Sequence, residues 1–308
     1  MFRKLHWVGF AFLSASISLA ASFTPGDVFL STTDKTVLEY TPTGTFVQKL
    51  DSGLGAAGLY GVLGDSAFDS SGNLYVSAHF AGVVKFDSRG NLVGLFGGGY
   101  TGGAYSVAIG PDSSVWVGQV YSNMILHMNP SGATIGAYSV ATDNGSAGPI
   151  DISRDGKTLY YASGASVKRF DVGNNVQLSD FGTGGDYLET LRILPDGGVL
   201  ATSLQDIVRL DPAGDIVQTY LTGSTELLTL TLDPNGLDFW TAEYYSGDVY
   251  KVNIATGAID GHFRTGNALS NLPYLSGISV LAAPEPAALD LFCLAFVFVV
   301  TQAKWRRT

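Results

Sequence analysis

The chain has 308 residues, 46% hydrophobic and only 14% charged, which excludes an intrinsically disordered protein and allows a large buried core. Thirty-nine glycines beside eleven prolines, with no collagen period, suit an all-β chain with many tight turns. The formal charge of −10 comes with no basic stripe that could displace phosphate counterions, so nucleic acid is not an expected partner.

Residues 1–20 read as a signal peptide. Arg3 and Lys4 precede an apolar run from Trp7 to Ala20, and Ser18-Leu19-Ala20 supplies the small residues that signal peptidase requires. An uncleaved amino-terminal anchor is the alternative, although the run is short for a membrane span. For an exported protein, the excess of acidic residues serves solubility.

Residues 21–283 carry a unit repeated six times. Its third strand reads Val37-Leu38-Glu39-Tyr40, Val83-Val84-Lys85-Phe86, Ile125-Leu126-His127-Met128, Val167-Lys168-Arg169-Phe170, Ile207-Val208-Arg209-Leu210 and Val249-Tyr250-Lys251-Val252. The steps from Glu39 to Lys85, His127, Arg169, Arg209 and Lys251 are 46, 42, 42, 40 and 42 residues. A period in that range with several short strands per copy predicts a β-propeller. The first copy begins at its second strand, Asp27-Val28-Phe29-Leu30, and the missing inner strand follows the sixth copy as Ser276-Gly277-Ile278-Ser279-Val280-Leu281. Pairing these two segments closes a ring without free edges. The expectation is an all-β, six-bladed β-propeller in which the N- and C-terminal strands share one blade, flanked by a signal peptide and a C-terminal transmembrane helix.

Residues 284–308 begin Pro284-Glu285-Pro286, continue with an apolar run from Ala287 to Ala303 interrupted by Asp290, and end Lys304-Trp305-Arg306-Arg307. The basic cluster is expected to stay cytoplasmic, with everything before it outside. The single cysteine, Cys293, falls in that run, so the propeller has no disulfide. Box, span and basic tail together resemble the PEP-CTERM sorting signal. The resemblance implies an inner-membrane anchor before processing, cleavage by an exosortase, and delivery to the cell surface or to exopolysaccharide. A plain tail anchor is the alternative.

The repeats Phe68-Asp69-Ser70-Ser71-Gly72-Asn73-Leu74-Tyr75-Val76 and Val84-Lys85-Phe86-Asp87-Ser88-Arg89-Gly90 resemble those of NHL and lactonase-type propellers. Lactonase-type members hold a divalent metal such as Ca²⁺ over the channel with Glu, Asn and Asp from separate blades. Glu189, Glu226 and Asp186 lie near inner-strand starts here, but no family motif surrounds them, so no metal-ligand role is carried over.

The strand order places the connections between second and third strands, and those between blades, on one face of the disc. These loops carry Tyr60, Tyr100, Tyr105, Tyr121, Tyr187, Tyr244, Tyr245 and Tyr274, an aromatic rim that suits stacking on sugars or a peptide. Packing between blades is the other role open to these rings. His79 shares that face in the loop Ala78-His79-Phe80 and is a candidate ligand contact, with a plain surface histidine as the alternative. His127, in the polar column of Glu39, Lys85, Arg169, Arg209 and Lys251, reads as outward-facing, and His262 as an outer-strand residue. Asp69, Asp87, Asp112, Asp155, Asp171, Asp196, Asp211 and Asp233 recur in turns, where carboxylates satisfy backbone N–H groups. In the inner-strand column Ala67, Ala108, Asp151, Arg192, Thr231, Ser279, the two charged members fall in adjacent blades, so Asp151 and Arg192 are expected to face each other near the channel, either as a structural ion pair or as candidate contacts that polarise a channel-bound ligand. The chain contains no nucleophile elbow, P-loop or zinc motif.

The expected function is an exported, surface- or matrix-associated binding or scaffold module for exopolysaccharide or a surface protein, with no cofactor. The alternative is a metal-dependent lactonase- or lyase-like enzyme using Ca²⁺.

Overall fold

The computed structural model describes residues 21–220, 226–265 and 274–283. The expected signal peptide, the transmembrane segment, and the sorting residues Pro284, Glu285, Pro286, Lys304, Arg306 and Arg307 lie outside the described residues. Among the described residues, no helix is long and apolar enough to cross a membrane.

Six antiparallel sheets stand around an axis. Their inner strands are Leu275–Val280, Ser66–Phe68, Gly103–Ile109, Ile150–Ile152, Leu188–Ile193 and Leu227–Leu232, for blades 1 to 6, and each touches the next in cyclic order until the sixth meets the first. The chain is therefore a closed six-bladed β-propeller. Five blades have four strands. In blade 4 the outer strand is split into Val176–Gln177 and Gly182–Thr183, both paired with Ser166–Asp171.

The ring closes as the strand pattern predicts. Val28 pairs with Val280, Phe29 with Ser279, Leu30 with Ile278 and Ser31 with Gly277. Gly277 is required by the close approach of blade 2, because a Cβ there would lie 1.9 Å from the Gly64 carbonyl oxygen.

The core is divided into six parcels, one between each pair of neighbouring blades. Phe29 and Val37 of blade 1, for instance, pack on Leu74, Val76 and Phe86 of blade 2. The second strand of each blade is apolar on both faces because it packs against both neighbours. Trp116, Trp240, Tyr75 and Tyr161 are the largest fully buried side chains, and all four lie on second strands. Burying a large apolar side chain contributes about 1.5–3 kcal/mol, so these strands hold the disc together.

All eight turn aspartates accept backbone N–H groups two to four residues ahead, as Asp69 does from Ser71 and Asn73, and Asp211 from Ala213 and Asp215. The polar third-strand column departs from expectation. It is not outward-facing, because Glu39 is buried and Lys85, His127, Arg169, Arg209 and Lys251 are half-buried, each beside the second-strand residue it pairs with: Phe29, Tyr75, Trp116, Tyr160, Leu200 and Trp240. Where that partner is aromatic, the polar head can lie over its ring. Lys85 Nζ is 4.7 Å from the Tyr75 centroid, and His127 stacks on Trp116 at 3.7 Å. In blade 6 the turn aspartate completes the arrangement, since Asp233 accepts from both Trp240 Nε1 at 2.7 Å and Lys251 Nζ at 2.8 Å. Glu39 departs furthest, being fully buried beside Asp27 under residues 21–24, with Gln48 donating to it at 2.6 Å.

Candidate functional site at the channel mouth

Inner strands bring polar groups from different blades within reach of one another, because their side chains have only the channel to fill. Arg192 of blade 5 donates to Asp65 of blade 2 at 2.6 Å, across the axis. This corrects the expected Asp151–Arg192 ion pair. Asp151 spends its two oxygens on the backbone N–H groups of Ile152 and of Ile193 in blade 5, both at 2.8 Å. It still contributes to the field at Arg192. Burial opposes the guanidinium charge, but Asp65 and then Asp151 outweigh it and raise the pKa. Burial likewise pushes the Asp151 carboxyl upward, against the pull of Arg192. Asp65 also accepts from the Ser66 N–H at 2.9 Å and from the Ser106 hydroxyl of blade 3 at 2.6 Å. One carboxylate thus ties blades 2, 3 and 5 together.

A second bridge spans the same opening. The Tyr105 hydroxyl of blade 3 donates to Glu189 of blade 5. Burial raises the pKa of Glu189 despite that hydrogen bond, and the nearby Glu226 adds to the rise. The same burial, then the carboxylate, pushes the Tyr105 phenol far up, so the bridge is held in its hydroxyl-donating form.

A cavity of about 160 Å³ opens at this mouth, walled by Asp65, His79, Tyr105, Glu189, Tyr244 and Ser276 among others, from blades 1, 2, 3, 5 and 6. A smaller hollow of about 10 Å³ lies on the other side of the Tyr105–Glu189 bridge, against Pro149 and Tyr187. Of the two roles open to His79, the structure places it at the candidate site rather than as a plain surface histidine. It is half-buried in the cavity wall, 5.7 Å from the Tyr105 ring, and burial lowers its pKa so that the neutral imidazole is favoured. Its φ of +38° is a backbone conformation that non-glycine residues rarely adopt.

The remaining predicted site residues separate into three groups. Tyr105 and Tyr244 reach the cavity. Tyr121, Tyr187 and Tyr245 are exposed on the rim, at 76%, 40% and 59%. Tyr100 belongs to neither, since it packs between blades 2 and 3 and donates to the Phe96 carbonyl at 2.7 Å. Tyr244, Tyr245 and Tyr274 form one cluster with centroids 4.8–5.0 Å apart. Asp151 and Arg192 lie in the channel below the cavity, and His262 is an exposed residue bonded to Asp248 at 2.9 Å. Sequence reasoning missed Asp65, Phe80, Thr33 and Ser276. Asp65 stands one residue before an inner strand, outside any column, while Phe80 was legible as the aromatic neighbour of His79.

The residues present do not fit the Glu-Asn-Asp calcium site that the lactonase-type resemblance implies. Among the described residues no three His, Cys, Asp or Glu side chains converge on a point. Among the described residues the cavity wall contains no Asn, and its carboxylates are engaged by Arg192, Ser106 and Tyr105.

No protein-family model matches the chain, and no curated protein matches it. Solved structures do: 1555 chains match, and so broad a distribution ties the shape to no single activity. One is the WD40 β-propeller domain of Doa1, with a TM-score of 0.61 at 16% identity over 86% of this chain and 88% of that one. At that identity the likeness extends to the propeller fold alone.

Proposed function

We propose that the protein is an exported, surface- or matrix-associated propeller that acts as a binding or scaffold module through its channel-mouth face. One observation carries the reading. Of the exposed aromatic side chains among the described residues, Tyr60, Phe80, Tyr121, Tyr187, Tyr245 and Tyr274 all sit in loops of that face, while Phe46 alone lies elsewhere, on an outer strand. The turns of the opposite face expose only Leu237 among the described large apolar residues. Exposed aromatics gathered on one face around a cavity are a mark of recognition rather than of packing.

The resemblance of the tail to PEP-CTERM signals supplies the route. Signal peptidase removes residues 1–20, the apolar run after Pro284-Glu285-Pro286 holds the chain in the inner membrane, and an exosortase releases it to the surface. The NHL-like repeats support the same reading, since such propellers present loops from a rigid ring. Exopolysaccharide and surface proteins are the partner classes proposed.

The test compares the wild type with a variant carrying Tyr121→Ala and Tyr245→Ala for retention on the host's exopolysaccharide and surface-protein fractions, alongside fractionation of a chain truncated before Pro284. Retention that depends on the two tyrosines, and secretion altered by the truncation, are expected. Equal retention of both proteins on every fraction would refute the binding face.

A further inference from the structure

We propose that the channel-mouth face takes the end of a neutral glycan, with one sugar ring in the cavity and the next lying across Phe80 and Tyr121. The proposal rests on the binding-module reading and adds the ligand's chemical class and orientation.

The first ground is the way charge is consumed around the cavity. Asp65 is neutralised by Arg192 and also accepts from Ser106 and Ser66. Glu189 is capped by the Tyr105 hydroxyl. His79 is desolvated toward its neutral form, and burial likewise favours the protonated carboxyl at Glu189. Among the described residues an anionic ligand finds no cation in this wall, and a cationic one finds Asp65 and Glu189 already engaged. What remains is acceptor capacity. Ser276 and Thr190 donate their hydroxyl hydrogens to the Leu63 and Leu228 carbonyls at 2.6 and 2.7 Å, which leaves their oxygens to accept. Rings of Tyr105, His79 and Tyr244 supply apolar faces beside these acceptors. Hydroxyl donors on a compact ring with one apolar face are the ligand chemistry that this wall complements.

The second ground is independent of the cavity. Phe80 and Tyr121 project from the second-to-third-strand loops of blades 2 and 3, 67% and 76% exposed, with their rings parallel to within 2° and centroids 6.3 Å apart. Both loops hold a non-glycine residue at positive φ, His79 at +38° and Tyr121 itself at +62°. Backbone strain that serves to display apolar rings to water points to a bound partner. His79 joins the two parts, since it walls the cavity and directly precedes Phe80. A pair of parallel exposed aromatic rings one residue from a ring-sized cavity suits a chain end that enters the cavity and continues outward. An enclosed floor, bridged by Arg192 and Asp65, gives the chain no way through.

The experiment uses the full chain and titration calorimetry with glucose, its β-1,4-linked trimer, the galacturonic acid trimer and the glucosamine trimer, after screening on an array of neutral, uronic and amino-sugar glycans beside a peptide library. Neutral glycans are expected to bind at least about tenfold tighter than the charged ones, and a neutral trimer tighter than its monomer. Phe80→Ala with Tyr121→Ala, both solvent-exposed, should weaken the trimer about tenfold and leave the monomer unchanged. Tyr105→Phe should weaken both. A preference for uronic or amino-sugar glycans, or trimer binding indifferent to the Phe80 and Tyr121 changes, overturns the proposal. Peptide binding without glycan binding overturns it while leaving the binding-module reading intact, and binding of neither class removes both.

Discussion

The guanidinium of Arg192 meets the carboxylate of Asp65 at 2.6 Å although 127 residues and half the ring separate them. Inner strands of blades 2 and 5 are thereby fastened across the axis, and Asp151 acts as a second carboxylate in the field of the same cation.

Removing the cation leaves Asp65 and Asp151 buried without a counter-charge. Arg192→Ala is expected to cost about 3–5 kcal/mol in a denaturant-unfolding experiment. Asp151→Asn keeps an acceptor for only one of the Ile152 and Ile193 N–H groups and sets an NH2 against the other, and is expected to cost about 1–3 kcal/mol. A double-mutant cycle should give a larger coupling for Arg192 with Asp65 than with Asp151. Equal couplings would return the pairing to that expected from the strand column.

Glu39 gives stability a dependence on pH. Burial, followed by the adjacent Asp27, raises its pKa from 4.5 to about 7, against the hydrogen bond from Gln48. The folded protein then holds a proton that the unfolded chain releases. The contribution is complete below about pH 4.5, declines as pH rises through about 7, and is flat above that, for a total on the order of 2–3 kcal/mol. Glu39→Gln should remove this slope, measured as the difference in unfolding free energy between pH 5 and pH 8. A slope unchanged by the substitution would place the titrating group elsewhere.

The bridge of Tyr105 to Glu189 has a spectroscopic signature. Burial raises the Glu189 pKa and the tyrosine hydroxyl holds it back. Tyr105→Phe should therefore move the carboxyl titration, followed by carbon-13 NMR, further upward, with a stability loss of about 1–3 kcal/mol from the bond deleted. A downward movement would show that the hydroxyl does not donate to this carboxylate.

Ring closure can be probed at one atom. A methyl group on residue 277 would meet the Gly64 carbonyl oxygen at 1.9 Å and its carbon at 2.7 Å. Gly277→Ala is expected to destabilise by about 1–3 kcal/mol through overpacking. Gly55→Ala, where no atom lies within 4 Å, serves as the control and should leave the melting temperature nearly unchanged. Similar melting temperatures for the two variants would mean that blades 1 and 2 can part without cost.

The parts legible in the sequence are those that repeat. Blade count, the sharing of blade 1 by both ends, and the turn role of all eight aspartates follow from positions that recur at a fixed period, where each copy tests the others. Contacts made once do not recur. Asp65 sits two positions before the column member Ala67, so the column does not point to it and instead suggests Asp151 for Arg192. The column of Glu39, Lys85 and His127 misleads for a different reason. Polar identity at a strand position reads as exposure to water, whereas here a long side chain lies along the ring across from it and keeps only part of its surface wet. The rim tyrosines divide in the same way, since nothing in the sequence distinguishes Tyr100, tucked between blades, from Tyr121 on an exposed loop.

Pairing Val28 with Val280 also sets the order in which the molecule can be made. Blade 1 lacks its innermost strand until residues 275–280 have been synthesised, so a nascent copy remains an arc with two open edges until then. Such long-range closure makes folding slow and leaves those edges available to neighbouring chains in the interval. Any cellular machinery that shields an emerging chain would be most needed between the completion of blade 6 and the arrival of residue 280.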